Sequence, residues 1–336
     1  MFASPRSIYL NYTFRVISAR KYLRLRDFLH YLSQLVPERV ESETWSLAWA
    51  YIRNIDDVID RPSLTTNAQQ RILEEEWSLV KRLINNSGEV ALESKNLRHH
   101  WLQQFIRNLY DHYDKDERRK ILEVVENLYQ SAVLDAQRRW RILSEQEMRR
   151  LLYLKAVRFF ELYFLLGRIK LQGYLTKLAE LLGLGLGMLD DILDALYDWR
   201  GGYINLTLED LEKTGIKVDP RDKLLLRAFI DQKVLHYKAA QILRLLLRAR
   251  IIGWKIKDPL ARNLILRLTE VFAAPILEGR FIPGSKYFFK GGKLIFKVLP
   301  RDEMLAYEVG HRMVKKLIRI PQLAPSLVKL WVKMTY

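Results

Sequence analysis

The chain has 336 residues, of which 49% are hydrophobic and 28% are charged, a composition that is ordinary for a globular protein. It contains 15 glycines and 10 prolines, too few for the many turns of a β-rich or doubly wound fold of this length. Cysteine is absent, which excludes disulfides, thiolate metal sites and cysteine nucleophiles and is compatible with a reducing cytoplasm. These observations favour one large all-α domain.

The formal net charge is +17. This excess favours a polyanionic partner, such as nucleic acid, an anionic lipid surface or a phosphorylated small molecule, or else forms a solvated basic surface. No motif of an RNA-binding or zinc-finger module accompanies it, so we expect no nucleic-acid partner. No run of 18 uncharged apolar residues occurs, so we expect no transmembrane helix.

Residues 1–25 form a basic N-terminal segment without any acidic side chain. This pattern is typical of a transit peptide, but also of a basic helix that lies on a membrane or beside a phosphate group. Residues 311–336 form a basic, amphipathic C-terminal tail. The tail could lie on an anionic membrane, where apolar products must be delivered, or pack on the core as a solvated helix.

Apolar residues recur at steps of three and four along most of the chain and predict long helices. The predicted helices cover residues 42–60, 68–84, 97–110, 118–143, 145–170, 174–199, 221–251, 258–278 and 303–318. Ser144 and Glu147 have the spacing of a capping box at the start of the fifth of these helices. The segment 286–298 is either a hairpin or a loop.

The helix predicted over 42–60 ends in three aspartates, Asp56, Asp57 and Asp60, called the aspartate triplet below. The first and last are four residues apart, so they project from one face, about 6 Å apart along the helix axis. Arg53 lies one turn earlier on the same side. Carboxylates crowded beside apolar residues need a compensating cation. Magnesium is suited to this because it takes one or two carboxylates and completes its shell with water and phosphate oxygens.

A second group, the aspartate row, consists of Asp190, Asp194 and Asp198 at four-residue steps on the helix predicted over 174–199. Asp191 stands beside the row, either as a further ligand or in solvent. Within this segment no lysine or arginine follows until Arg200, so no intrahelical salt bridge neutralises the row. Two such rows on leucine-rich helices predict metal binding rather than a solvated acidic face.

Glycines at positions 183, 185 and 187 precede the aspartate row. Their spacing is not that of the dinucleotide-binding motif, and no predicted strand comes before them. They predict the close approach of another helix or of a ligand.

These segments resemble the squalene/phytoene synthase family, the head-to-head prenyltransferases. Residues 49–60 match the family motif Tyr-Ala-x-x-Arg-x-x-Asp-Asp-x-x-Asp, with Trp49 in place of the usual tyrosine. Residues 190–198 match Asn-x-x-x-Asp-x-x-x-Asp, with Asp190 where asparagine is more usual. Tyr153 and Val157 match part of a mid-chain motif, Tyr-x-x-x-Val-Ala-Gly. The resemblance spans residues 26–290.

The resemblance implies a single isoprenoid-synthase domain over residues 1–336, a large helical bundle of the terpenoid synthase type around a central cavity. It implies that two or three magnesium ions are bound between the facing aspartate clusters. The implied metal ligands are Asp56, Asp57, Asp60, Asp190, Asp194 and Asp198. The implied catalytic residues are Asp56, Asp60, Asp194 and Asp198, the diphosphate-binding residues are Arg53 and Arg280, and the cavity-lining residues are Trp49, Tyr153, Val157 and Phe159.

The chain departs from the family pattern near both sites. Phe159, two residues after Val157, stands in place of a glycine of the family motif, which would narrow or reshape the cavity. Tyr203, Asn205 and Thr207 stand where arginine, tyrosine and proline are usual after the second motif. These departures indicate a divergent member.

The resemblance implies a magnesium-dependent prenyltransferase. Such an enzyme condenses two farnesyl or geranylgeranyl diphosphates head to head, through diphosphate ionisation and a carbocation, as in squalene or phytoene synthesis. A class I terpene cyclase or a head-to-tail isoprenyl diphosphate synthase would use the same metals and remains an alternative. A non-catalytic assembly or scaffold homologue is the second alternative. A requirement for NADPH remains open. We expect a cytoplasmic protein. If the C-terminal tail lies on an anionic membrane, the protein is also peripherally membrane-associated.

Overall fold

The computed structural model describes most of the chain between residues 15 and 297. The described ranges are 15–23, 27–36, 38–61, 63–92, 96–217, 219–222, 225–229, 231–277, 286–290 and 293–297. Helices dominate these ranges, and the prediction of an all-α fold is confirmed. Arg280, the helix predicted over 303–318 and the C-terminal tail lie outside the described residues.

The helical elements follow one another with short connections. In chain order they are α1 (15–23), α2 (Asp27–Gln34), α3 (Arg39–Ile59), α4 (Thr66–Asn85), α5 (Leu97–His112), α6 (Lys115–Gln137), α7 (Glu145–Leu152), a π-helical segment (Tyr153–Val157), α8 (Arg158–Leu166), α9 (Leu175–Leu193), α10 (Ala195–Gly201), α11 (Leu208–Thr214), α12 (Leu226–Phe229), α13 (Gln232–Lys255) and α14 (Pro259–Leu277). Two paired strands follow, β1 (Lys286–Lys290) and β2 (Lys293–Lys297), so the segment 286–298 contains a hairpin.

Several predicted helix boundaries are wrong because local geometry interrupts the apolar period. Helix α6 ends at Gln137 rather than near 143, since Trp140 adopts a positive φ of 59° and donates its backbone N–H to Gly202 at 2.6 Å. The helix predicted over 221–251 is instead the short α12 followed by α13. Asp231 caps α13, because its side chain accepts the backbone N–H of Lys233.

The helix predicted over 145–170 begins as expected, since Ser144 and Glu147 form the complete capping box. It then passes through the π-helical segment and ends at Leu166. The helix predicted over 174–199 is also divided, because Asp194 leaves helical geometry with φ −92° and ψ 3° between α9 and α10. Periodicity alone does not reveal such one-residue interruptions.

Contacts divide the described residues into two compact units. The first lies within Met1–Ala136, Leu162–Ile169 and Phe288–Lys293, and the second within Gln137–Glu161, Lys170–Tyr287 and Leu294–Tyr336. A single domain over residues 1–336 stays a prediction.

The first unit is organised around the aromatic side chains of α3. Trp45 is fully buried, stacks on Trp49 with ring centroids 5.4 Å apart, and meets Tyr163 edge to face at 5.0 Å. Such contacts add to the stabilisation from apolar burial. They orient α3, whose C-terminal end carries the aspartate triplet.

Buried carboxylates in the first unit have close partners. Glu76 accepts hydrogen bonds from Arg98, from Tyr51 at 3.0 Å and from His99 at 3.0 Å. Burial by itself would raise the pKa of Glu76, but the hydrogen bonds from His99 and Arg98 outweigh it and hold the pKa below its usual value. Glu76 is therefore a structural anion that joins α4 to α5.

In the second unit, α9 packs against α13 and against the π-helical segment. A Cβ atom added to Gly183 would lie 2.5 Å from Val157 Cα and 2.6 Å from the carbonyl oxygen of Ala156. A Cβ atom on Gly187 would lie 2.7 Å from Leu152 Cδ2. These positions confirm that the glycines permit a close helix approach, by the backbone of the π-helical segment at Gly183 and by the side chains of Leu152 and Ala156 at Gly187.

We expect Gly183→Ala to lower the free energy of unfolding by about 1–3 kcal/mol, because the added methyl group meets backbone atoms that cannot rotate away. The matched control is Gly185→Ala on the same helix, where the nearest atom is the flexible end of Leu246 at 3.0 Å. Thermal unfolding followed by circular dichroism measures both. Equal melting temperatures for the two variants would contradict the assigned contact.

Candidate functional site

The aspartate row lies in the second unit, where α9 passes into α10. The backbone N–H of Asp194 donates to the carbonyl oxygen of Asp190 at 2.8 Å, and that of Asp198 donates to Asp194 at 3.0 Å. Four-residue hydrogen bonds therefore continue across the interruption at Asp194. The row keeps helical spacing, and the side chain of Asp190 is exposed while those of Asp194 and Asp198 are half-buried.

Burial perturbs two carboxyl groups at this site. It raises the pKa of Asp198 to about 6, opposed by Lys155 and by a hydrogen bond from Asn205, and reinforced by the charge of Asp190. It raises the pKa of Asp191 to about 7, with opposition from Arg138. The ionised forms of these two carboxyl groups are therefore less stable at this site than they are in water. A bound cation would favour the ionised forms.

One residue outside the predicted site, Asn205, bonds Asp198 directly, and Arg138 supports Asn205 from behind. Asn205 donates from its side-chain nitrogen to Asp198 Oδ2 at 2.6 Å. Arg138, itself only 6% exposed, donates to Asn205 Oδ1 at 3.1 Å and to the carbonyl oxygen of Ile204 at 2.8 Å. The Arg138 guanidinium also lies over the ring of Tyr203, 5.4 Å from its centroid. Arg138 therefore supports the aspartate row through Asn205.

The π-helical segment carries residues of the mid-chain motif. Lys155 is exposed, and its charge favours ionisation of both Asp191 and Asp198. Tyr153 lies beneath the guanidinium of Arg158, 5.2 Å from the ring centroid. Val157 is fully buried against Gly183. A π-helical turn is a common feature of functional sites, because it turns side chains away from the α-helical register.

Phe159 is buried in the aromatic core of the second unit. It meets Phe160 edge to face at 4.9 Å, and Phe160 in turn meets Phe272 at 5.9 Å. The bulky side chain is thus accommodated by other rings of α8 and α14. That Trp49, Tyr153, Val157 and Phe159 line a substrate cavity stays a prediction.

The aspartate triplet lies in the first unit at the C-terminal end of α3. The Arg53 guanidinium pairs with Asp56 and reaches Asp57 with 3.5 Å between Nη2 and Oδ1. The Tyr22 hydroxyl donates a hydrogen bond to Asp57. Asp60 is exposed and ends the helix. Arg53 and Tyr22 therefore stabilise carboxylates for which the sequence predicts a metal ion as the compensating charge.

The donor set of both groups fits a hard cation. Every predicted ligand is a carboxylate, and magnesium binds oxygen ligands, commonly one or two carboxylates with water and substrate phosphate. Among the described residues, no group of three or more histidine, aspartate or glutamate side chains is gathered closely enough to hold an ion by itself. The six metal ligands, Arg53 as a diphosphate ligand and magnesium stay predictions.

Sequence reasoning did not identify Arg138 or Lys155 as site residues, and it treated Asn205 only as a departure from the family motif. Arg138 comes directly after the last residue of α6, and it belongs to no recognisable sequence motif. Lys155 falls between two matched motif positions. Their importance depends on how α9 and the π-helical segment pack, which no local pattern specifies.

Arg280 and the C-terminal tail lie outside the described residues, so their proposed roles stay predictions. Within the ranges that the structure describes, no helix has the length and apolar character needed to cross a membrane.

No family model and no curated protein matches the sequence. Among solved structures, the fold is similar to a dehydrosqualene synthase whose crystal structure was determined in complex with a ligand, with a TM-score of 0.59. The match covers 93% of this chain and 99% of that one, at 13% sequence identity. The likeness establishes the fold, an all-α fold of the terpenoid synthase type.

We expect Asp191→Asn to stabilise the metal-free protein at pH 8 and to have little effect near pH 4. A carboxyl whose folded pKa is about 7, against about 3.9 when unfolded, binds its proton more tightly in the folded state. Its ionisation therefore removes stability as the pH rises between these values, by about 1.4 kcal/mol for each pKa unit of difference.

Thermal unfolding in EDTA at several pH values measures this effect. The control is Asp116→Asn, which removes an exposed carboxylate paired with Arg119 at 3.2 Å and should show only a small pH dependence. A lower melting temperature for Asp191→Asn than for the wild type at pH 8 would refute the assignment.

Proposed function

We propose that this chain is a magnesium-dependent prenyltransferase that condenses two prenyl diphosphates head to head. The observation that carries the proposal is the aspartate row, which keeps four-residue spacing across the junction of α9 and α10 in a fold similar to a dehydrosqualene synthase. Such a row supplies the oxygen ligands that magnesium shares with a diphosphate. The substrates we propose are farnesyl or geranylgeranyl diphosphate.

The electrostatics of the row support a cation beside it. Burial raises the pKa of Asp198 and of Asp191, so their ionised forms need further positive charge. When bound, magnesium would supply that charge and stabilise the negative charge that develops on a departing diphosphate. Lys155, already close enough to affect both carboxyl groups, would contribute to the same stabilisation.

The aspartate triplet and Arg53 also take part in the proposal. Arg53 pairs with Asp56 and Asp57 in this structure, and a guanidinium is equally suited to a phosphate group, which it can grip through two parallel hydrogen bonds. We propose that Arg53 exchanges a carboxylate partner for substrate diphosphate, leaving the triplet to bind metal. Arg280 is proposed as a second cation for the diphosphate.

The proposed chemistry begins with ionisation of one substrate. Its C1–O bond breaks, and the electron pair leaves with the diphosphate, giving an allylic carbocation. The double bond of the second substrate attacks this cation, and loss of a proton closes a cyclopropylcarbinyl diphosphate. The chain must exclude water from the cation, which requires apolar surroundings such as Tyr153, Val157 and Phe159 would provide.

Product analysis tests the reaction class. The full chain is incubated with farnesyl or geranylgeranyl diphosphate and magnesium, with and without NADPH, and products are identified by mass spectrometry. A product joining two complete prenyl units supports the proposal, and a reduced product with NADPH would place the reductive step on this chain. A cyclic product from one substrate, or a head-to-tail chain, would overturn it. No turnover would favour the scaffold alternative.

We expect Asp194→Asn to lower kcat by about 100-fold or more, because it removes a charged oxygen from the centre of the row while keeping its shape. The matched control is Asp116→Asn, whose carboxylate is 76% exposed. Steady-state kinetics with each prenyl diphosphate measures the effect. Wild-type turnover by Asp194→Asn would exclude a catalytic role for the row.

Asn205→Ala should weaken magnesium binding by about 10–100-fold, because Asn205 orients Asp198 through the 2.6 Å hydrogen bond. The magnesium concentration at half-maximal turnover, together with magnesium binding measured by calorimetry, reports this change. Asn127→Ala is the control, since that half-buried side chain bonds a carbonyl within its own helix, far along the chain from the row. If turnover falls while the dependence on magnesium is unchanged, Asn205 does not act through Asp198.

A further inference from the structure

We propose that a pocket in the second unit binds a small anionic amphiphile, a molecule with a phosphate or similar head and a short apolar chain. The pocket has a volume of about 230 Å³ and is bordered by α7, α9 and α13. We call it the basic pocket. The proposal concerns a different surface from the aspartate row and does not rest on the proposed function.

The floor of the basic pocket is apolar. Met148 and Leu152 of α7 and Leu184 of α9 line it, and all three are buried. Leu245 of α13 adds a half-buried side chain. A hydrocarbon chain that covered this floor would remove apolar surface from water, which is favourable.

The rim of the pocket is strongly basic. Arg149, Arg244 and Arg248 all line the pocket and are exposed. Among the residues that the structure describes, none of these three guanidinium groups forms an ion pair. Arg244 and Arg248 are one turn apart on α13, so their like charges repel each other in the absence of an anion. A phosphate group would relieve this repulsion through charge-assisted hydrogen bonds.

The other charged groups at the pocket already have partners. Lys238 pairs with Asp210 at 2.8 Å. The carboxylate of Glu145 accepts the hydroxyl of Tyr237 at 3.1 Å. Glu145 is the one acidic residue that lines the pocket, against three arginines without ion pairs. Helix α13 itself contains no aspartate or glutamate. The local field therefore attracts anions.

The pocket is separate from the aspartate row because it uses another face of α9. Gly183 and Gly187 lie seven and three residues before Asp190 and continue the face of the row. Gly183 packs against the π-helical segment, and Gly187 packs against Leu152 at the end of α7 and against Ala156. Leu184 and Met188 line the basic pocket. Successive residues of a helix are rotated by about 100°, so these two sets point in different directions.

The volume limits the ligand to a short chain. About 300–1,000 Å³ is usual for a pocket that encloses a drug-sized ligand, and this pocket is smaller. It therefore accommodates a head group and the first carbons of a chain. The same chemistry is found in a soluble alkyl or prenyl phosphate and in the head region of an anionic phospholipid.

Calorimetric titration of the full chain with hexyl phosphate, in EDTA, tests the proposal. EDTA removes divalent metal, so the result does not depend on metal binding at the aspartate row. We expect saturable binding that weakens at high salt, and weaker binding of inorganic phosphate and of hexanol, each of which lacks one half of the ligand. Absence of hexyl phosphate binding would overturn the proposal.

The double substitution Arg244→Glu with Arg248→Glu should lower the affinity for hexyl phosphate by at least about tenfold, since it removes two charged donors. Leu245→Trp should also reduce binding, because the larger side chain occupies the pocket. Arg150→Glu is the matched control: Arg150 follows Arg149 on α7, is exposed and does not line the pocket. Circular dichroism verifies folding of each variant. Unchanged affinity in both pocket variants would refute the site.

Co-sedimentation with phosphatidylglycerol vesicles distinguishes the source of the ligand. Vesicle binding that is lost in the double variant, and that hexyl phosphate competes away, identifies a lipid head group. Hexyl phosphate binding with unchanged or absent vesicle binding identifies a soluble amphiphile, because any remaining contact with vesicles then arises elsewhere on the chain.

Discussion

The close contact between α9 and the π-helical segment is the constraint on which the second unit depends. Gly183 has room for no side chain, because the backbone at Ala156 and Val157 occupies the space. This contact fixes the segment that carries Lys155 beside the helix that carries the aspartate row. Lys155 accordingly acts on the ionisation of Asp198. A local irregularity in one helix and a glycine in another thus set the electrostatics of the candidate site.

The two groups of aspartates carry similar charge but are compensated differently. In the triplet, Arg53 pairs with carboxylates of its own helix, so the sequence-local cation offsets their repulsion. In the row, burial raises the pKa of Asp198, and its direct partner is the neutral side chain of Asn205, which Arg138 supports from behind. Asp198 therefore retains a demand for positive charge, whereas Arg53 offsets the charge of the triplet, and this difference is why the row carries our proposal.

The second unit presents opposite charges on different faces of α9. One face leads to the carboxylates of the row, and another borders a pocket whose rim carries Arg149, Arg244 and Arg248. Cations are thus attracted to the row at the junction of α9 and α10, and anions to the basic pocket between α7, α9 and α13. A basic net charge of +17 alone indicates only that anions are attracted somewhere, whereas the packing of α7, α9 and α13 concentrates part of it around an apolar floor.

The sequence by itself determined the helical class, most helix positions, the capping box at Ser144 and the four-residue spacing of both aspartate groups, because each depends on residues close in the chain. Only the tertiary structure decided the break at Asp194, the π-helical turn, the partners Asn205 and Arg138 of the row, and the basic pocket. Those features arise where residues distant in the chain meet. Their energies depend on burial and on exact neighbours, which a periodic pattern of apolar and polar residues does not encode.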